Sequence, residues 1–448
     1  MKRFLSGDEA FAEGVRLARP QVISAYPITP QTVVVERLSE MVEDGSLDAE
    51  FVHVESEHSA LSCAIGASAA GARTFTATSS QGLYYMAECL TYASGGRFPI
   101  VMMNANRSVA LPWNIYGDQR DSISLLDHGW IQVYAQDNQE ALDLALLAYA
   151  VAEDPQVLTP VMVNLDGFAL THTYETVDIP TTEQADEFLP PYQATNCFDF
   201  DEPKNMGYSA GPAYNKYFKY WEHRDMATAT AVIAQAEERF ARIFGRRYTG
   251  MVEAVGCEDA DAVLVTLGSI SGLARTVQKE LRAEGRNVGL LRLRYLRPFP
   301  AAEVAQALAG AKAVGVLEKD VSFGAEGTVF TNVCSALQQA GLSVRTLNFI
   351  GGLGGDDISE EQMRAMYGRL LEEAERDGTA GAAAPAKGEV EAATEAAARE
   401  LPLGGSRNVL FLGIDELLPQ EEPEGPASAG PASAEPAPTE PETTEGGR

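Results

Sequence analysis

Short β-branched runs alternate with segments of helical periodicity along most of this chain, and that alternation constrains its fold more than any other feature. "QVIS", "FVHV", "RTFTA", "PIVMMN" and "PVMVNLD" are separated by "VVVERLSEMV", "EHSALSCAIGASAAG", "GLYYMAECLTYA" and "NQEALDLALLAYAVAED", each with apolar residues at helical spacing. Strands that pair in parallel need a crossover between them, so the pattern predicts a parallel α/β sheet. Ser6 and Glu9 in "SGDE" have the spacing of a capping box ahead of Phe11, Val15 and Leu17, which places a helix at the start. An irregular stretch rich in proline and aromatic residues runs from about Thr173 to Asp225 and reads as an arm lying on a surface. A helix, "MATATAVIAQAEERFARIFGRR", leads from it into a second α/β unit with strands "AVLVTLG", "NVGLLRLR", "AVGVLEK" and "VRTLNFI".

The expected organisation is an N-terminal α/β domain over 1–172, an arm and linking helix over 173–254, and a second parallel-sheet domain over 255–376. The remainder, 377–448, is an acidic Pro/Ala/Glu tail whose composition predicts disorder. One apolar island, "NVLFLGIDELL" at 408–418, reads as a docking strand for a partner or as chance.

The chain carries 64 acidic and 34 basic residues, a formal charge of −30, which repels nucleic-acid phosphates and anionic lipid. Neither nucleic acid nor membrane is therefore expected as a partner. No apolar run reaches the ~20 residues of a membrane-spanning helix, and "MKRFLSGDEAFAEG" turns acidic too early for a secretory signal, so a cytoplasmic location is expected. The five cysteines form no C-x-x-C pair, so no iron–sulfur or zinc framework is expected within this chain; they read as small buried hydrophobes.

Three stretches could carry chemistry. In "AYPITPQT", Pro27 and Pro30 push Tyr26 and Thr29 toward extended backbone, and Pro30 suits a first helical turn with Thr29 as its cap. Such a turn at the carboxyl edge of a parallel sheet is a ligand position, although a bare helix cap explains the residues equally. In "FVHVESEHSALSCAIGAS" a strand runs into a helix through Glu57. Its carboxylate either complements the helix dipole or hydrogen-bonds a heterocycle nitrogen beneath a cleft. In "NANRSVALPWNIYGDQRDSISLLDHGW", Arg107 follows a strand and suits bidentate capture of a carboxylate, whereas Asp118, Arg120 and Asp121 read as solvated loop pairs. There is no G-x-G-x-x-G after a strand, no P-loop and no G-x-S-x-G, since "GSISG" at Gly268 has isoleucine at the nucleophile position. His53 and His58 lack metal-ligand spacing, and "GGLGGDD" at Gly351 is first a turn signal.

Together, "AYPITPQT", "VESEHSALSCAIGASAAGARTFTATSSQGL", "NANRS", "LVTLGSISG" and "LRLRYLRPFP" resemble the α subunits of pyruvate:ferredoxin oxidoreductase and its 2-oxoacid relatives, in order, from Met1 to about Glu375. The resemblance implies a pyrimidine-binding-like domain followed by a transketolase-C-terminal-like one. It further implies thiamine-dependent oxidative decarboxylation of a 2-oxoacid, with electrons passed to iron–sulfur clusters and the acyl group to coenzyme A. Thiamine diphosphate would lie between this chain and a partner: Glu57 would hydrogen-bond the aminopyrimidine and favour the imino tautomer that deprotonates the thiazolium, with Pro27 and Ile28 beside it. Thr29 would donate to the substrate, and Arg107 would hold its carboxylate. The family's "GDG" diphosphate motif is reduced here to "GDQ" at Gly117. The diphosphate with its Mg2+, and the [4Fe-4S] clusters, are therefore expected on β-, γ- and δ-type subunits, with ferredoxin as acceptor. Pyruvate is the expected substrate. A branched-chain, aryl or other 2-oxoacid is the alternative, with Trp113, Ile115 and Tyr116 either lining its pocket or packing on their own sheet. A non-catalytic assembly subunit is more remote.

Overall fold

A computed structural model describes residues 1–203, 205–207, 209–376 and 409–413. The acidic tail expected at 377–448 lies outside the described residues, apart from 409–413.

Strand β1 (Lys2–Ser6) opens the chain, and the parallel strands β2 (Val22–Ala25), β3 (Glu50–His53), β4 (Thr74–Thr78), β5 (Val101–Asn106), β6 (Ile131–Tyr134) and β7 (Val161–Asp166) follow it. β8 (Tyr174–Asp178) returns to pair antiparallel with β1, a two-stranded sheet inside the stretch that reads as arm from sequence. The second unit contains β9 (Val252–Val255), β10 (Ala262–Leu267), β11 (Val288–Leu293), β12 (Tyr295–Arg297), β13 (Ala313–Glu318), β14 (Arg345–Ile350) and β15 (Val409–Phe411). The first sheet has seven strands in the order β12-β6-β7-β5-β4-β2-β3, and the second has six, β15-β14-β13-β10-β11-β9. Every residue of β5, β7, β10, β11 and β13 is buried, as expected where helices cover both faces of a parallel sheet.

The helix Gly7–Ala18 starts at the predicted capping box: Glu9 N donates to Ser6 Oγ at 3.2 Å and Ser6 N to Glu9 Oε2 at 3.0 Å. Phe11, Val15 and Leu17 enter the main core. This helix packs so closely on Asn138–Ala152 that a Cβ at Gly14 would collide with Leu142 O and Ala145 Cβ.

Several expectations are corrected. "GLYYMAECLTYA" is two helices, Ser80–Tyr85 and Ala87–Gly95, separated at Met86. The linking helix begins fourteen residues before Met226, at Pro212, and runs for 33 residues to Phe244. Proline at its first turn and Gly245 at φ 72° set its ends. Its second half buries Ala229, Val232, Ile233, Ala236 and Phe240, whereas Tyr214, Tyr217, Tyr220 and Trp221 in its first half are exposed.

"LRLRYLR" is shared between the sheets. β11 ends at Leu293, and β12 crosses at once to pair antiparallel with β6, Tyr295 opposite Val133 and Arg297 opposite Gln132. Buried Arg292 and Arg294 flank the crossing and both pair with Glu140, while Arg294 also pairs with Glu237. Burial pushes Glu140 up, but the two guanidiniums hold it below the usual carboxylate range.

The apolar island docks on its own chain. β15 runs parallel to β14 at the edge of the second sheet, Asn348 opposite Val409, with Leu412 in the core beside Met363 and Leu370. Residues 408 and 414–418 of the expected segment lie outside the described residues. Leu412→Ala should lower stability by roughly 2–3 kcal/mol in denaturant unfolding; an unchanged midpoint would show that this strand does not hold the sheet edge.

Candidate active site

The order of the first sheet reverses beside β2, which has β3 on one side and β4 on the other. Open α/β sheets bind ligands at the carboxyl ends of strands at such a switch point. The segments leaving β2, β3, β4 and β5 there carry Thr29, Glu57, Gln81 and Arg107.

The turn after β2 is closed by Gln31, not Thr29. Gln31 is fully buried; its Nε2 donates to Tyr26 O at 2.8 Å and its backbone N to Ile28 O at 3.0 Å. The helix begins only at Thr32, so Thr29 is not its cap, and the Thr29–Pro30 peptide is cis. Pro27 and Thr29 are exposed and Ile28 is half-buried. The carbonyl of Thr29 accepts from Arg107 Nη1 at 2.7 Å, which joins the first stretch to the third.

Glu57 opens the helix Glu57–Ala69, capped by Ser56, whose hydroxyl accepts from Ser59 N. Glu57 is only 8% exposed, yet its carboxylate makes no hydrogen bond among the described residues. It lies against Gly82, where a Cβ would come within 2.7 Å of both Glu57 Oε1 and Thr78 Oγ1. Arg107 is 5% exposed, and its guanidinium donates only to neutral oxygens, Thr29 O and Gln81 Oε1 (3.1 Å). Burial pushes its pKa down, opposed by the charges of Asp121 and Glu57. Around the pair, Thr78 Oγ1, Ser79 Oγ, Gln81 Nε2, Arg107 Nε and Ser108 Oγ are buried without partners. Buried polar atoms are normally satisfied, so such a concentration at one sheet edge marks a place built for a ligand.

Asp121 organises this edge. Although it reads from sequence as a solvated loop residue, it is fully buried and accepts five hydrogen bonds. Asn106 Nδ2 (2.8 Å) and Ser122 N (2.8 Å) donate to Oδ1, and Ser80 N (3.0 Å), Arg107 N (3.1 Å) and Asn104 Nδ2 (3.3 Å) to Oδ2. Burial pushes its pKa up to about 6, against the pull of those donors. Ser80, held by it, adopts φ 51°, a conformation non-glycine residues rarely take outside functional turns. Asp118 is buried too, and Arg120 has its guanidinium on Val109 O and over the ring of Phe323, so none of the three is a solvated pair. A signal for Asp121 was present: Asn104 and Asn106 share one face of a wholly buried strand and require a polar partner.

Trp113 is exposed and Ile115 half-buried, while the ring of Tyr116 packs on Phe168 with centroids 5.2 Å apart. The five cysteines are free, with Cys89 and Cys257 buried. Among the described residues no helix is long and apolar enough to cross a membrane, and no group of three or more His, Cys, Asp or Glu is placed to hold a metal.

One carboxylate unpartnered among the described residues and one guanidinium lacking an acidic partner, both at the switch-point edge of a parallel sheet, mark the ligand edge of an α/β enzyme. Residues 13–238 match the family described as pyruvate flavodoxin/ferredoxin oxidoreductase, thiamine diphosphate-binding, and 260–363 match pyruvate:ferredoxin oxidoreductase core domain II. The pyruvate synthase subunit PorA of Methanothermobacter thermautotrophicus is 46% identical over 377 residues, 84% of this chain and 97% of that one. Its counterpart in Methanocaldococcus jannaschii is 48% identical over 381 residues, 84% and 96% of the two chains. The ketoisovalerate oxidoreductase subunit VorA of Pyrococcus horikoshii is 42% identical over 367 residues, 82% and 93%. A structure of 2-oxoglutarate:ferredoxin oxidoreductase from Magnetococcus marinus shares the fold, with TM-score 0.63 at 22% identity over 83% of this chain and 65% of its own length. The chain therefore belongs to the pyruvate:ferredoxin oxidoreductase family.

If Asp121 holds the edge together, Asp121→Asn keeps an oxygen for only one of its two sets of donors and turns an NH2 toward the other. The variant should lose on the order of 3 kcal/mol of stability, read by thermal or denaturant unfolding; a loss below about 0.5 kcal/mol would mean the donors find other acceptors.

Proposed function

We propose that this chain is the α subunit of a 2-oxoacid:ferredoxin oxidoreductase that oxidatively decarboxylates pyruvate to an acyl-coenzyme A and carbon dioxide, and that it works only with partner subunits. The observation that carries this reading is a buried carboxylate and a buried guanidinium at one sheet edge, neither with a partner of opposite charge in contact among the described residues. The carboxylate fits an aminopyrimidine: Glu57 has no donor of its own, and Gly82 leaves it unobstructed. When bound, thiamine diphosphate supplies the carbon nucleophile and electron sink that decarboxylation needs.

The chain's own residues have separable tasks. Glu57 would hold the aminopyrimidine by accepting a hydrogen bond from its ring nitrogen and keep that proton in place. Pro27 and Ile28 would lie beside the ring. Arg107 binds the oxoacid carboxylate; a desolvated guanidinium with only neutral acceptors gains more from an anion than one already paired. Thr29, exposed and with its carbonyl held by Arg107, would donate its hydroxyl to the substrate beside that guanidinium.

The diphosphate with its Mg2+, and the [4Fe-4S] clusters, we assign to β-, γ- and δ-type chains. "GDQ" at Gly117 lacks the second glycine of a diphosphate motif, and no C-x-x-C pair occurs in the sequence. Ferredoxin is the expected acceptor and coenzyme A the acyl acceptor, in the cytoplasm, in keeping with five free cysteines. Pyruvate synthase subunits reach 48% identity and ketoisovalerate subunits 43%, although the two ranges overlap at 42%, and on the higher values we take pyruvate as the substrate.

In the assembled complex, Glu57→Gln should cut pyruvate-dependent viologen reduction by on the order of a hundredfold or more. Arg107→Ala should raise KM for pyruvate roughly 10- to 100-fold. Full activity of the first variant would remove Glu57 from catalysis, and an unchanged KM in the second would make Arg107 a structural residue. A parent complex that ignores pyruvate but reduces viologen with 2-oxoisovalerate would keep the mechanism and change the substrate.

A further inference from the structure

The loop from Arg107 to Arg120 is gripped from two sides. On the first sheet, Arg107 N is held by Asp121, and Ser108 N donates to Tyr116 O at 2.9 Å, closing the loop at its foot. From the second unit, Gly354 N donates to Asp118 Oδ2 at 3.1 Å, Gly355 N to Gly117 O at 2.8 Å, and Lys319 O accepts from Gln119 N at 2.8 Å. Asn114 completes the grip: its Nδ2 donates to Gly354 O at 2.8 Å, while its Oδ1 accepts from Tyr116 N at 2.5 Å.

Gly352, Gly354 and Gly355 sit at φ 67°, 59° and 82°, which turns successive N–H groups of the "GGLGG" segment toward the loop. A Cβ would meet the Asn114 amide from Gly354 and the Tyr116 side chain from Gly355, so backbone and loop are in direct contact. A second tie lies beside it. Asp166, at the end of β7, accepts from Ser269 N at 2.7 Å, Ser269 Oγ at 2.5 Å and Gln119 Nε2 at 2.9 Å, with Lys319 Nζ 3.5 Å away.

We propose that the Gly352–Gly355 turn and Asn114 position the substrate clamp: the second α/β unit holds the foot of the Arg107 loop and thereby sets where the guanidinium meets the oxoacid carboxylate. This rests on the reading of Arg107 as carboxylate ligand. The grip falls on the returning end of the loop, at Gly117 and Asp118, next to the Ser108–Tyr116 hydrogen bond that brings this end back beside Arg107, while the tip at Leu111 and Trp113 stays exposed. A joint that served only to fasten two domains would not need to seize that foot by its backbone.

The test uses the assembled complex with Asn114→Ala, and with Gly355→Ala as a more severe variant. Asn114→Ala should raise KM for pyruvate on the order of tenfold with kcat and melting temperature close to the parent values. It should also speed amide hydrogen exchange across residues 107–121, and the double variant with Arg107→Ala should show no further rise in KM beyond Arg107→Ala alone. An unchanged KM, or a rise that adds fully to that of Arg107→Ala, would overturn the proposal. If Gly355→Ala does not assemble, Asn114→Ala decides alone. Should Arg107→Ala itself leave KM unchanged, the carboxylate reading fails and the substrate link with it, while unaltered exchange in Asn114→Ala would refute the grip on independent grounds.

Discussion

A single buried carboxylate sets the geometry of the active edge. Asp121 is fully desolvated, and an isolated charge in that position would be untenable without compensation. The compensation comes from donors in three separate segments: Asn104, Asn106 and Arg107 along and after β5, Ser80 in the turn after β4, and Ser122 in its own helix. Because the acceptor is satisfied only when all three segments are in place, each helps fix the others. The left-handed Ser80 and the backbone of Arg107 are both held by it, and through Arg107 the turn after β2 is held as well.

The same economy governs the contact between the two sheets. "LRLRYLRPFP" needs its arginines because the crossing from β11 to β12 leaves Arg292 and Arg294 without water, facing Glu140 and Glu237. Buried ion pairs of this kind often contribute little net stability, but breaking one partner leaves a stranded charge. They therefore act on which arrangement forms more than on how tightly it is held. A slip of β12 along β6 would displace both guanidiniums from their carboxylates.

Much of the fold was legible. Alternating β-branched and helical segments give parallel strands because each helix carries the chain back to the end of the sheet where the last strand began, and the Ser6–Glu9 box opens the helix where it should. Glu57 and Arg107 could be singled out because each lies just past a strand, where a parallel sheet presents its ligand edge. Three things were hidden for definite reasons. Asp121 sits among other charges in a polar loop, and although Asn104 and Asn106 on the strand before it call for a polar partner, composition does not say which of those charges turns inward to meet them. The first half of the helix Pro212–Phe244 carries Tyr214, Tyr217, Phe218 and Trp221 at helical spacing, but its aromatic side chains and the preceding Gly–Pro read as irregular arm, so the helix is started too late. β12 is too short to announce which sheet it joins, and only the register of β6 decides that. Thr29 misled because a hydroxyl before proline looks like a cap; the buried amide of Gln31, which a strand-to-helix pattern does not flag, closes that turn.

The entry of β12 into the first sheet also orders events during synthesis. β6 has β7 on one flank, and among the described residues its other flank is covered by residues 294–297. While the ribosome is still making the second unit, the N-terminal sheet exposes an edge whose amides and carbonyls have no protein partner, the kind of edge that recruits strands from other chains. The nascent N-terminal half is thus committed to wait for its last strand. Cutting the chain between the two sheets would separate a pair that shares one continuous strand segment, not two independent modules.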